Sequence, residues 1–206
     1  MVKHVFSSIS RAVHELRRSG CKISLLNDIA VIVYGVVKPL EEVRIMVSAD
    51  CVENALDNIM KSFNVFQHRF IAEKRLREQG VVAVSTIFYP LLVIELARSY
   101  IDEEVLANTE IFEISGYEIP IPRIEHLIAK MLSLGMFPYN VYAYTLLFSW
   151  IDNLDHSVLA KLIKSTGVNI DNFVRNLEDM MNHLDSFQPI RKPQGIDRFK
   201  ALLKST

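Results

Sequence analysis

The sequence predicts a mixed α+β fold, a mixed sheet flanked by helices and followed by a helical C-terminal part. Three features predict it. Apolar residues alternate between helical and strand spacing over the first 121 residues. After Pro122 the spacing is almost wholly helical. Half of the 206 residues are hydrophobic and 23% are charged, enough to build a sizeable core. The expected organisation is an α/β core over residues 1–121, a helical appendage over 122–187, and a basic tail with a short helix over 188–206.

The elements follow in order. Val5, Ile9, Ala12, Val13 and Leu16 recur at helical spacing, so residues 4–18 form a helix that Ser19-Gly20 ends. Ile23–Leu26 is a short strand. Asn27-Asp28 are placed to cap a second helix, Ile29–Tyr34, which Gly35 closes. Val43, Ile45 and Val47 alternate with Glu42, Arg44 and Met46, the period of a half-buried strand. Asp50 caps a helix across Val52–Phe63. Residues 65–98 are mixed: a basic stretch with Lys74, Arg75 and Arg77 precedes two strands, Val81–Phe88 and Leu91–Leu96, joined at Tyr89-Pro90. A short acidic helix near Asp102–Leu106 leads to a hairpin, Glu110–Ser115 with Glu118–Ile121. Pro120 and Pro122 stop further pairing there, since proline cannot donate to a ladder. Helices then span Ile124–Leu134, Val141–Ile151, Ser157–Lys164, Ile170–Leu184 and a short stretch near Asp197–Leu203.

Several function classes are excluded by what composition and motifs lack. The net charge is −1 with pI near 6.6, so the chain is no polycation seeking nucleic acid. Glycine is scarce, 7 of 206, which argues against a Gly-rich phosphate loop. No G-x-S-x-G, Walker A or G-x-G-x-x-G motif is present. Residues 1–18 carry charges throughout and lack the apolar run of a signal peptide. No apolar stretch approaches the ~20 residues of a membrane helix, so no membrane partner is expected. Cys21 and Cys51 show neither metal-ligand nor disulfide spacing. They read as buried free thiols in a reducing cytoplasm, and a cytoplasmic location is expected.

The order of elements and several short motifs resemble the nucleotidyltransferase-fold superfamily, close to the small prokaryotic type that includes abortive-infection and antitoxin-linked transferases. That family opens with a strand, Gly-Gly at a helix start, then Ala and a closing Gly. A loop leads to R-x-T-x-D-x-D on the next strand, a third acidic residue follows on a later strand, and a hairpin precedes an E-x-L-I-A-x-K helix. Here Ala30 and Tyr34-Gly35 stand at the scaffold positions, Gly116–Ile121 resembles the hairpin, and Ile124–Met131 resembles the helix. The similarity spans roughly residues 10–150.

The chemical positions depart from that pattern. Gly-Gly becomes Asn27-Asp28, and R-x-T-x-D-x-D falls on Lys38-Pro39-Leu40-Glu41-Glu42-Val43-Arg44. The first carboxylate is therefore Glu42 and the second is Arg44. The third falls on Glu95. The resemblance thus implies vestigial catalytic positions at Glu42 and Glu95, and nucleotide-binding positions at Asn27, Asp28, Lys38 and Arg44. The family reaction is metal-assisted transfer of a nucleotidyl group to a hydroxyl. Carboxylates two residues apart on a strand share a face and, with a third from a neighbouring strand, hold Mg²⁺. A guanidinium has no lone pair to offer a metal. Arg44 is therefore expected to replace the metal and to pair with Glu42 and Glu95.

Bland readings stand beside these. Asn27-Asp28 are ordinary helix-cap residues. Lys38 is a solvated loop lysine, and Glu42 and Glu95 are partly exposed strand residues. The aromatic run Phe137, Tyr139, Tyr142, Tyr144, Phe148 and Trp150 reads as core or interface rather than as a base-stacking platform. The basic segment 69–77 and the tail with Arg191, Lys192, Arg198, Lys200 and Lys204 read as solvated faces, with RNA contact as the alternative. His126 reads as structural. The expected function is a catalytically degenerate nucleotidyltransferase-like protein acting as a nucleotide-binding or protein-interaction, regulatory module. No cofactor is expected, and candidate partners are a nucleoside triphosphate or a protein. The alternative is an active Mg²⁺-dependent transferase rebuilt on Glu42, Glu95 and a carboxylate such as Asp28 or Glu41.

Overall fold

In the computed structural model, which describes residues 2–63, 68–84, 90–187 and 195–205, the chain divides into two compact units, residues 1–123 and 124–206. The first unit holds α1 (Val2–Arg18), β1 (Ile23–Leu26), α2 (Asn27–Val33), β2 (Glu42–Val47), α3 (Val52–Phe63), α4 (Arg69–Gln79), β3 (Val81–Val84), β4 (Leu91–Leu96), α5 (Tyr100–Ala107), β5 (Thr109–Ile114) and β6 (Tyr117–Pro122). The second holds α6 (Ile124–Leu134), α7 (Tyr139–Trp150), α8 (His156–Ser165), α9 (Ile170–Phe187) and α10 (Gly195–Lys204). No described helix is long and apolar enough to cross a membrane.

Four strands of the first unit form a mixed sheet in the order β1-β2-β4-β3. β1 runs antiparallel to β2, β2 parallel to β4, and β4 antiparallel to β3. The parallel pair forces a crossover, which α3, α4 and β3 supply. On one sheet face Val43, Ile45, Val47, Leu92, Ile94 and Leu96 are all buried, which drives β2 and β4 into the interior. The other face carries Glu42, Arg44, Met46, Val93 and Glu95, set by the registers Arg44↔Val93 and Met46↔Glu95.

β5 and β6 form a separate two-stranded sheet closed by Ser115 (φ 53°) and Gly116 (φ 82°). Two successive left-handed residues make the tight turn that suits the strand twist. Pro120 and Pro122 take part in this pair, opposite Ile111 and Thr109. The hairpin is tied to the rest of its unit by Tyr34, whose hydroxyl donates to the Pro122 carbonyl at 2.7 Å and whose ring meets Phe112 edge-on at 5.7 Å. Gly35 at φ 95° ends α2 with the paired bonds Gly35 N–H to Ile32 O and Val36 N–H to Val31 O.

Four expectations are corrected here. Cys21 and Cys51 are joined in a disulfide, with Cα atoms 5.6 Å apart. Their spacing in sequence concealed this because the β1–β2 pairing, Ile23↔Val47, brings their flanks together. The inference of a reducing compartment from free thiols goes with it. The basic stretch 69–79 is a helix, missed because only Ala72 and Leu76 of α4 are buried while Phe70 and Ile71 are exposed. Asp50 lies inside a short 3₁₀ turn, Ala49–Cys51, and does not cap α3. Of the strand expected over 81–88, residues 81–84 are strand, and 85–89 lie outside the described residues.

In the second unit α6 is buried from Ile124 to Leu132, including Glu125, His126 and Lys130. The Glu125 carboxylate accepts the Asp155 N–H at 2.9 Å, and Asp155 in turn caps α8 through the N–H groups of Ser157 and Val158. Of the aromatic run, read as core or interface, no side chain is fully buried. Ala143, Leu146 and Leu147 fill the interior face of α7, Tyr142, Tyr144, Phe148 and Trp150 are half-buried, and Phe137 is exposed. Arg191 and Lys192 of the expected basic tail lie outside the described residues.

Candidate functional site

The polar sheet face gathers the residues singled out in the sequence. Glu42 and Arg44 share it because they stand two apart on β2. Glu95 joins them from the parallel neighbour β4, two residues beyond Val93, the partner of Arg44. The Arg44 guanidinium spans both carboxylates. Its Nε donates to Glu42 Oε1 at 2.7 Å, its Nη2 to Glu42 Oε2 at 3.2 Å, and its Nη1 to Glu95 Oε2 at 2.8 Å. The two-pronged grip on Glu42 is the geometry that the planar fork of arginine allows and lysine does not. The side chains of Arg44, Glu42 and Glu95 are 15%, 19% and 10% exposed, so the pairing is only weakly screened by water. Burial alone would lower the Arg44 pKa. Hydrogen bonds and charge from Glu42 and Glu95 outweigh it and hold the pKa above its ordinary value. Arg44 is therefore charged wherever the protein is folded.

Asn27 completes the cluster. Its Nδ2 donates to Glu42 Oε1 at 2.7 Å. Its backbone stands at φ 52°, a left-handed conformation that costs most residues about 1–2 kcal/mol and that asparagine tolerates best after glycine. Asparagine thus stands where the resemblance places a glycine, in a conformation that glycine adopts without strain.

Asp28 and Lys38 form a second pair. Asp28 Oδ1 meets Lys38 Nζ, and Asp28 Oδ2 accepts the N–H groups of Glu41 and Glu42, both at 2.8 Å. Their side chains are 8% and 10% exposed. The ordinary readings fail for both. No side chain caps α2, whose cap position is Leu26, and Lys38 is not solvated. Asp28 reaches forward to fasten the start of β2, and Lys38 neutralises it. Sequence reasoning missed this clamp and the Asn27–Glu42 bond. The one available signal was an asparagine in a glycine position.

The family resemblance implies magnesium at this place, and the donor set does not fit it. Both oxygens of Glu42 and one of Glu95 are bonded to a cation supplied by the chain itself, at the position where a second carboxylate would stand. Asp28, a candidate third ligand, spends its oxygens on Lys38 and on backbone N–H groups. Glu41 is exposed and precedes the strand. Among the described residues no group of three or more His, Cys, Asp or Glu side chains is arranged to hold a metal ion.

No family model matches the chain, and no curated protein matches it. Among solved structures, the antibiotic-resistance factor ANT(2'')-Ia, a nucleotidyltransferase whose solution structure is described as revealing substrate-regulated conformation dynamics, is similar with a TM-score of 0.54. The similarity covers 89% of this chain and 100% of that one at 12% identity. The chain has a nucleotidyltransferase-like fold. A nucleotidyltransferase-like antigenic protein from Paracoccidioides brasiliensis is a looser match, with a TM-score of 0.40 at 12% identity over 99% of this chain and 94% of that one. The similarity speaks for the fold, and the site must be argued from its own residues.

Proposed function

We propose that the protein is a catalytically degenerate nucleotidyltransferase-like module, of the small prokaryotic abortive-infection and antitoxin-linked type, that works by contact and regulation rather than by nucleotidyl transfer. One observation carries the reading: Arg44 occupies a metal-ligand position of the resembled motif and consumes the two carboxylates that remain. Transfer to a hydroxyl through metals needs hard oxygen ligands and a positive centre that faces the triphosphate. Here three carboxylates, Asp28, Glu42 and Glu95, face two cations, Lys38 and Arg44, so the cluster holds no surplus positive charge for a polyanion.

That balance favours a protein partner over a nucleoside triphosphate. The exposed apolar residues Met136, Phe137 and Val141, at the start of the aromatic helix α7, support the same preference. The test is incubation with α-labelled ATP and GTP in Mg²⁺, with the protein itself, total RNA and a cell extract as acceptors. No label above background is expected in any fraction. Mg²⁺-dependent label that disappears in Glu42→Ala or Glu95→Ala would overturn the reading.

A further inference from the structure

We infer that Arg44 is a built-in counter-ion, a permanent substitute for a divalent cation between Glu42 and Glu95, so that removing it turns the cluster into a cation site that the native chain does not have. The inference deepens the functional reading above and rests on it in one respect only, the identity of the position.

Two carboxylates on adjacent parallel strands face one another across the sheet, at least four-fifths buried. Like charges in such a place repel strongly, and a cation between them relieves the repulsion. The guanidinium is that cation, held by three hydrogen bonds of 2.7 to 3.2 Å. It enters from β2 itself, so it never dissociates and never exchanges with solvent. The neighbouring charges are already settled. Asp28 is matched by Lys38, and Asn27 offers Glu42 a neutral amide. Taking Arg44 away leaves two facing carboxylates and an amide side chain. The carboxylates are hard oxygen donors of the kind that Mg²⁺ and Ca²⁺ accept.

The consequence for the native protein is independence from divalent ions. Its fold and its binding partner should be indifferent to chelator, unlike those of a transferase that keeps its metals. A metal–nucleotide complex is also shut out, because its ion would have to displace a charged group fixed to the backbone.

The test compares native protein with Arg44→Ala by thermal unfolding and calorimetry in EDTA, in about 5 mM MgCl₂ and in about 5 mM CaCl₂, concentrations that detect binding down to the millimolar range. The native midpoint should be the same in all three, with no heat of cation binding. Arg44→Ala should melt lower in EDTA and recover several degrees in one or both cations, saturably. If Arg44→Ala does not fold in EDTA, folding on addition of cation supports the inference equally. If it folds in neither, Arg44→Asp, which supplies a third carboxylate, is measured in the same way, and absence of cation binding there overturns the inference. Arg44→Ala that folds but shows no cation dependence overturns it as well, as does a native midpoint that rises with cation. Each of these failures leaves the labelling experiment unaffected, so the two claims fail separately.

Discussion

The two faces of the β2–β4 pair differ in kind. One face presents Val43, Ile45, Val47, Leu92, Ile94 and Leu96, buried and without a polar atom on any side chain. The other presents Glu42, Arg44 and Glu95 beside Met46 and Val93, and its three ionic side chains are almost as deeply covered. The apolar face is held by area removed from water and tolerates exchange among similar side chains. The ionic face is held by matched charge, and one unmatched partner is costly. A sheet can thus keep its fold through one face while the other exchanges a reactive arrangement for an inert one. This chain has a nucleotidyltransferase-like fold, and the charges of its polar sheet face are paired with one another.

The largest expected effect breaks the ionic face. Arg44→Ala should destabilise the first unit by about 3–5 kcal/mol in denaturant titration, because it removes the cation that bridges two largely buried carboxylates. The apolar face, one residue away, sharpens the contrast. Ile45→Ala should cost about 2–5 kcal/mol by opening a cavity. The two losses are told apart by rescue. Adding Glu42→Gln and Glu95→Gln should restore much of the stability of Arg44→Ala and none of that of Ile45→Ala.

The next effect concerns the staple behind both faces. The Cys21–Cys51 disulfide closes a ring that contains β1, α2 and β2, and with them Asn27, Asp28, Lys38, Glu42 and Arg44. Cys21→Ser should cost about 2–4 kcal/mol. Native protein treated with a dithiol reductant should lose a similar amount, while Cys21→Ser should not respond to it. The smallest effect separates backbone from side chain at Asn27. Asn27→Gly keeps the left-handed backbone and loses the side chain that donates to Glu42, so it should change stability by about 1.5 kcal/mol or less. Asn27→Ala bears the strain as well and should lose about 1–2 kcal/mol more.

The apolar face was legible in the sequence, and so were most elements, because alternation and helical spacing are written directly in the order of residues. β1, β4 and α6 begin and end where their apolar patterns do. The pairing of Arg44 with Glu42 followed from two residues on one strand, and its pairing with Glu95 from the resemblance that aligned the two strands. What the sequence hid depends on chain reversal. Asp28 reaches Glu41 and Glu42 only because the loop folds back, and Cys21 reaches Cys51 only because β1 and β2 pair antiparallel. The α4 helix was hidden for the opposite reason. It buries so little that its apolar residues make no stripe.

The central claim, that the chain's own arginine has taken the place of the catalytic metal, is tested most directly by calorimetric titration of the native protein with ATP, then GTP, with and without Mg²⁺. The account predicts that Mg²⁺ makes no difference, with no metal-dependent binding stronger than about 1 mM, or roughly −4 kcal/mol. Nucleotide binding that appears only when Mg²⁺ is present would contradict it, because the ion would then have found ligands among groups that Arg44 holds.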